Sequence, residues 1–254
     1  MHPMFRQPLL FQSFPEIVAA ESTRHGGVSP APYESLNLGK HTGDAPENVA
    51  ENRRRFCSAL GFSPEQLAWS KQVHGAEIRL VEEPGGAEGY DALITNVPGI
   101  FLAVSIADCT PILIYDPENR AAAAIHAGWR GAAANIIGKT LDAMRQHFGT
   151  NGGACLAYVG TCIDECSFEV GPEVAAQFDG VFTRFDPERN KFFVNLKKVC
   201  AAQLAARGVL ETRLEISPYS TVLHNADYFS HRKEQGVTGR MMGVIGMKGV
   251  QQGK

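Results

Sequence analysis

The stretch IFLAVSIADCTPILIYDPENRAAAAIHAGWRG (100–131) decides how this chain folds. Three apolar runs follow one another in it, 100–107, 111–115 and 121–126, with only turn-length breaks between them. Each is too short for an ordinary helix and long enough for a strand, and the unbroken apolar character of 100–107 is that of a strand buried on both faces. Residues 121–125 read as its neighbour, reached after a turn at 116–119. Successive strands with no helix between them argue against a strictly alternating doubly wound sheet and for an α+β fold of packed mixed sheets flanked by helices. They also place Asp108, Cys109 and His126 near the ends of central strands.

Outward from this centre, further strand signals lie at 77–81, 91–95, 156–160, 213–217 and 241–247. Helical periodicity is clearest at 46–60, 132–148 and 195–207, with a shorter piece at 172–178. Asp44, with Pro46 in the first turn and Glu47 three residues on, marks the start of the first helix as a capping box. PGGAEGYD (84–91) and TNGGA (150–154) read as turns, and no linker or repeat divides the sequence, so 1–254 is expected to be one domain. At 44% hydrophobic and 20% charged residues the composition is that of an ordinary globular protein, and the net charge of −3 offers no general attraction for nucleic acid. The longest apolar stretch, 98–115, is interrupted by Asp108 and Pro111, so no membrane span is expected. Pro8, Gln12, Pro15 and Glu16 break any signal-peptide core, which implies a cytoplasmic protein. Six cysteines at 57, 109, 155, 162, 166 and 200 contain no C-x-x-C pair, which argues against a disulfide framework or zinc ribbon.

Three ligand-type residues stand out: His74 in KQVHG (71–75), Cys109 in ADCTP (107–111) and His126 in IHAGWRG (125–131). Gathered together, two imidazoles and a thiolate suit Zn2+ with an open fourth position. The same residues suit a Cys109 nucleophile with His126 or His74 as its base. Spacing does not choose between these, nor against a structural histidine and a buried small cysteine. On the first helix, Arg53 shares the face of Val49, Phe56, Cys57 and Leu60, whereas Arg54 and Arg55 point away. An inward guanidinium requires a partner, either a carboxylate of the protein or a substrate oxygen or phosphate. The helix after Gly131 would present free N–H groups to an anion.

Taken together, TRHGGVS (23–29), PYESLNLGKHTGD (32–44), ENVAENR (47–53), QVHG (72–75), DALIT (91–95), ADCTPILIYD (107–116), HAGWRG (126–131), FEVG (168–171) and YFSHR with TGR (228–240) give the chain a specific likeness. It resembles the polyphenol oxidase or laccase-domain family, whose members are regarded as zinc-dependent purine nucleoside phosphorylases with adenosine deaminase activity. The resemblance implies a fold similar to the catalytic domain of cytotoxic necrotizing factor toxins. It implies one Zn2+ per chain held by His74, Cys109 and His126, with Cu2+ as an alternative occupant. The partners it implies are inorganic phosphate and purine nucleosides: adenosine, inosine, and further guanosine and S-methyl-5'-thioadenosine. Arg53 and Arg130 are the candidates for phosphate, and Asn37 and Asp108 for substrate hydrogen bonds. The sequence departs from the family pattern at GTCIDECSFEVG (160–171) and YSTVLHNADYFSHR (219–232), neither of which touches the expected ligands. Two alternatives stand beside this reading: a Cys109-dependent amidase acting on peptidoglycan precursors, and a copper polyphenol oxidase. Against the latter, none of the eight histidines forms a His-x-His pair, which a trinuclear copper cluster requires.

Overall fold

The computed structural model describes residues 2–249. Two six-stranded sheets face one another, and helices cover both outer faces. The first sheet runs β1 (Phe5–Arg6), β2 (Ile17–Ser22), β15 (Met241–Met247), β7 (Phe101–Ile106), β3 (Leu67–Lys71), β5 (Gly85–Glu88). The second runs β14 (Leu214–Ile216), β10 (Leu156–Val159), β8 (Thr110–Asp116), β9 (Ala121–Ala127), β6 (Ala92–Thr95), β4 (Ile78–Leu80). Both mix parallel and antiparallel pairs, so the α+β expectation holds. A small third sheet, β11 (Glu169–Val170), β13 (Lys191–Val194), β12 (Thr183–Asp186), sits beside them. The helices are α1 (Pro46–Ala59), α2 (Trp129–Ala133), α3 (Ile136–Phe148), α4 (Pro172–Ala175) and α5 (Leu196–Ala205).

Strand alternation builds the layers. Leu102 and Val104 of β7 meet Leu113 and Tyr115 of β8 and Ala122 and Ala124 of β9 between the sheets. The opposite face of β7, Phe101 and Ala103, packs under Phe56 and Cys57 of α1. Ile112, Ile114, Ala123 and Ile125 turn outward onto Ile137, Leu141 and Met144 of α3 and onto Cys200 and Leu204 of α5. Hence the central strands read as continuous apolar runs: both of their faces are covered.

Several expectations need correction. Residues 121–125 are not the in-sheet neighbour of 100–107: β9 pairs with β8 and β6, while β7 lies in the opposite sheet. The chain changes sheets at 107–109, where Asp108 adopts φ 87°. The 84–91 segment is not only a turn, because Gly85–Glu88 forms an edge strand parallel to β3. A Cβ on Gly86 would lie 2.5 Å from the Trp69 indole, so glycine is what lets this edge close over the ring. The expected helix over 132–148 breaks at Asn135, which is left-handed at φ 58°. Asn tolerates that conformation better than most residues, and its side chain lies against Gly138, where a Cβ would come within 2.6 Å. Helix α1 begins at Pro46, but its N-cap is Ala45 with no side-chain bond, so Asp44 and Glu47 form no capping box. Asp44 instead accepts from Ser29, Asn37, Asn48 and the Ala45 N–H, which pins the preceding loop to the helix start. Strands β2 and β3 were not expected from the sequence, although turn residues such as Pro15 and Pro64 precede them. All six cysteines are free. Among the described residues no helix is long and apolar enough to cross a membrane.

Candidate metal centre and active site

Three connections bring the site together. His74 follows the end of β3, Cys109 lies between β7 and β8, and His126 is the penultimate residue of β9. His74 is exposed, Cys109 half-buried and His126 buried, so the cluster has one open side and a closed floor. One ligand atom from each lies within 4.8 Å of the other two. The His74 and His126 rings stand at 81° with centroids 4.8 Å apart. Gly128 forms the wall: a Cβ there would lie 3.1 Å from both the Cys109 Sγ and the His74 ring. Two imidazole nitrogens and a sulfur at this spacing fit a tetrahedral ion with one free position.

Asp91 holds this arrangement and was not singled out from the sequence. Its Oδ1 lies 2.8 Å from His126 Nδ1 and accepts from the His74 N–H at 3.0 Å. Its Oδ2 accepts from the N–H groups of Gly75 at 2.7 Å and Val73 at 3.2 Å. Burial alone would raise the Asp91 carboxyl, but the His126 hydrogen bond and charge, with the two backbone donors, outweigh it and hold it below its usual value. An ionised Asp91 fixes the His126 proton on Nδ1 and leaves Nε2 as the atom offered to Cys109 or an ion. The only available signal was DALIT (91–95), in which Asp91 reads as a polar residue opening a strand.

The thiol and the imidazole tune one another. Burial would keep the Cys109 proton on, but the charges and hydrogen bonds of His126 and His74 overcome it and push the thiol down toward thiolate. Burial would likewise lower His126, whereas the Cys109 thiolate and Asp91 raise it. Cys57, Cys155, Cys162 and Cys200, which lack such partners, are pushed up by burial. Cys109 is therefore the sulfur that electrostatics prepares to ligate or attack.

The remaining sequence candidates divide. Asp108 does not reach into the site as a free carboxylate: Oδ1 accepts from Thr221 at 2.5 Å and Ser230 at 2.7 Å, and Oδ2 from the Arg232 N–H at 2.6 Å. It ties the 221–232 segment to the strand change that carries Cys109. Asn37 is wholly buried; its amide donates to Thr42 and Asp44, and its oxygen accepts from the Gly39 and Arg240 N–H groups, leaving nothing for a substrate. Arg53 is inward as expected, at 6% exposure. It contacts the Leu38 carbonyl and Trp69 on the α1 side, and the pocket it lines shares no residue with the triad. Arg130 is exposed, its guanidinium 4.4 Å from the Trp129 ring centroid, four residues past His126. Gly131 is interior to α2, which is capped by Gly128, so the anion site expected after Gly131 has no helix start to rest on.

A second group of ligand-type side chains, His2, His25 and Asp227, also clusters. Its rings stack at 23° with centroids 4.5 Å apart, and Arg6 approaches Asp227 to 3.7 Å. Both imidazoles are engaged with Asp227 Oδ1, and the group reads as a hydrogen-bonded stack.

Comparison with known proteins bears on this geometry. A family model described as multi-copper polyphenol oxidoreductase laccase matches residues 18–248. The purine nucleoside phosphorylase YfiH of Escherichia coli K12 is 37% identical over 234 residues, covering 90% of this chain and 93% of its own. The purine nucleoside phosphorylase of Deinococcus radiodurans is 38% identical over 247 residues, covering 96% of this chain and 93% of its own. The crystal structure of YlmD from Geobacillus stearothermophilus superposes with a TM-score of 0.90 at 31% identity, covering 97% of this chain and 99% of the other.

Proposed function

The chain belongs to the multi-copper polyphenol oxidoreductase laccase family, and from that premise we propose that it is a zinc-dependent purine nucleoside phosphorylase acting at His74, Cys109 and His126. The observation that carries this reading is the convergence of two imidazoles and a thiolate on one half-open point, in a chain whose relatives bear that name. Phosphorolysis of adenosine or inosine joins phosphate to the anomeric carbon and releases the purine, giving ribose 1-phosphate. When bound, Zn2+ supplies Lewis acidity, which stabilises negative charge on a departing base and acidifies water, the latter being what adenosine deamination requires.

The chain's own groups do the rest. Asp91 keeps the His126 proton on Nδ1 and fixes the His74 backbone, so the donor set is preorganised rather than assembled on binding. The exposed edge of His74 leaves the approach for substrate on that side. Arg130, with no carboxylate in ion-pairing range among the described residues, is our candidate for holding phosphate close to the reacting carbon. Adenosine deaminase activity at the same centre and a cytoplasmic location complete the reading.

One observation favours a second reading. Cys109, His126 and Asp91 are ordered as thiol, imidazole and carboxylate, the arrangement of a cysteine hydrolase. Incubating adenosine or inosine with the purified protein and phosphate, then separating the products, tests both. Free base plus ribose 1-phosphate, abolished by chelation and by Cys109→Ala, is the expected result, and inosine formed from adenosine would report the deaminase. No conversion by zinc-loaded protein would overturn the proposal. Amide hydrolysis that survives chelation and is lost in Cys109→Ala would establish the thiol reading.

A further inference from the structure

On the outer face of the first sheet, beneath α1, lies a pocket of about 620 Å³ whose lining includes Lys40, Arg53, Ser58, Ser63 and Trp69. Its defining feature is positive charge without a counterion. Arg53 is 6% exposed, and the partner seen for its side chain is one neutral acceptor, the Leu38 carbonyl, at 2.9 Å from Nε. Its guanidinium carbon lies 5.7 Å from the Trp69 ring centroid, and Lys40 Nζ lies 4.3 Å from the same centroid. Neither cation forms an ion pair among the described residues. Arg54, which also reaches the pocket, is already neutralised by Glu51 at 2.7 Å. The one carboxylate of the lining, Glu65, is exposed, bonded to Ser63, and outside ion-pairing distance of both cations.

Two cations gathered around one indole carry a cost. Removing an unpaired guanidinium from water is unfavourable, and the second positive charge adds repulsion. Cation–π attraction returns only a fraction of this. Consistent with that imbalance, burial pushes Arg53 down to about 10, and burial together with Arg53 lowers Lys40. A doubly charged anion is what the pocket lacks. Arg53 offers a fork of unused N–H donors, Lys40 a point charge, and Ser58 and Ser63 hydroxyls, the donor types that recognise phosphate oxygens. The volume exceeds that of orthophosphate alone and leaves room for a small group attached to it.

We propose that the Lys40–Arg53–Trp69 pocket is a phosphate-binding site separate from the metal centre, which takes a small phosphate monoester by its phosphate group. It stands independently of the phosphorylase reading, because none of its lining residues belongs to the His74, Cys109, His126 triad.

Titration of the full chain by calorimetry with ribose 5-phosphate, inorganic phosphate and ribose tests it. Binding of ribose 5-phosphate that survives in Cys109→Ala, and weakens about tenfold in Lys40→Gln, is expected. Lys40 is an exposed side chain, so that variant retains the fold, and Arg53→Lys, which keeps the charge but removes the fork, should weaken binding further. Ribose alone should not bind. Equal affinity for inorganic phosphate would assign the pocket to the free ion and leave the site standing. Binding lost in Cys109→Ala and unchanged in Lys40→Gln would place the anion at the metal centre and overturn the proposal, as would no binding of either phosphate by the wild type. Failure of phosphorolysis with retained ribose 5-phosphate binding would sink the proposed function alone.

Discussion

At the residue scale, the site depends on one carboxylate more than its sequence neighbourhood suggests. Asp91 serves His126, His74, Gly75 and Val73 at once. Asp91→Asn should lower zinc affinity about 10–100-fold, because the amide no longer orders the His126 tautomer; competition with a colorimetric chelator measures it. A variant that binds zinc as tightly as wild type would remove Asp91 from the metal site. His74, Cys109 and His126 were legible as ligand types in order along the chain, whereas Asp91 was not. An aspartate at a strand start is ordinarily a surface residue, and only the fold buries this one, at 1% exposure. Asn37 and Asp108 show the reverse. Both lie in the motifs that carry the family resemblance, and both spend their hydrogen-bonding capacity on the scaffold.

At the element scale, two joints set where helices begin. Asp44 links Ser29, Asn37 and Asn48 before α1. Burial would raise its carboxyl, but those donors and the Ala45 N–H hold it below the usual value. A depressed folded value means that its stabilisation is present above the unfolded pKa, near 4, and is lost as pH falls through the folded one. Asp44→Ala should therefore cost about 1–3 kcal/mol in urea unfolding at pH 7, and the gap from wild type should narrow as pH falls below about 4 and through the depressed folded value. A gap that persists there would show that the tie does not depend on charge. The second joint is Asn135, left-handed between α2 and α3. Asn135→Ala should destabilise by about 1 kcal/mol and Asn135→Gly by less, because only the former adds strain at positive φ. Equal losses would mean that the side chain packed on Gly138, rather than the backbone, matters. The helices at 46–60 and 195–207 were legible because one face of each is apolar at helical spacing. The break at 135 was not, because asparagine is also an ordinary helix-surface residue.

At the scale of the whole molecule, stability rests on the layer between the two sheets. Leu113 is fully buried there, opposite Leu102 and Val104. Leu113→Ala should cost about 2–5 kcal/mol. The small residues of β9 in the same layer set the sheet spacing, and Ala124→Leu should cost about 1–3 kcal/mol by overpacking. Chemical denaturation reads both, and a neutral Ala124→Leu would show slack between the sheets. The same layer decides function, because its spacing and the strand change at 107–109 bring the loops after β3 and β7 to the end of β9.

The sequence by itself determined the fold class, the central strands, the inward turn of Arg53 and the three ligand-type residues, because periodicity and side-chain chemistry are local properties. Only the tertiary structure decided that β7 and β9 lie in opposite sheets, that Asp91 sits beneath the triad, and that Arg53 faces Lys40 and Trp69 in a pocket of its own. Periodicity reports that a face is buried and not what covers it. The partner is set by contacts among residues far apart in the chain, which exist only once the two sheets have closed on each other.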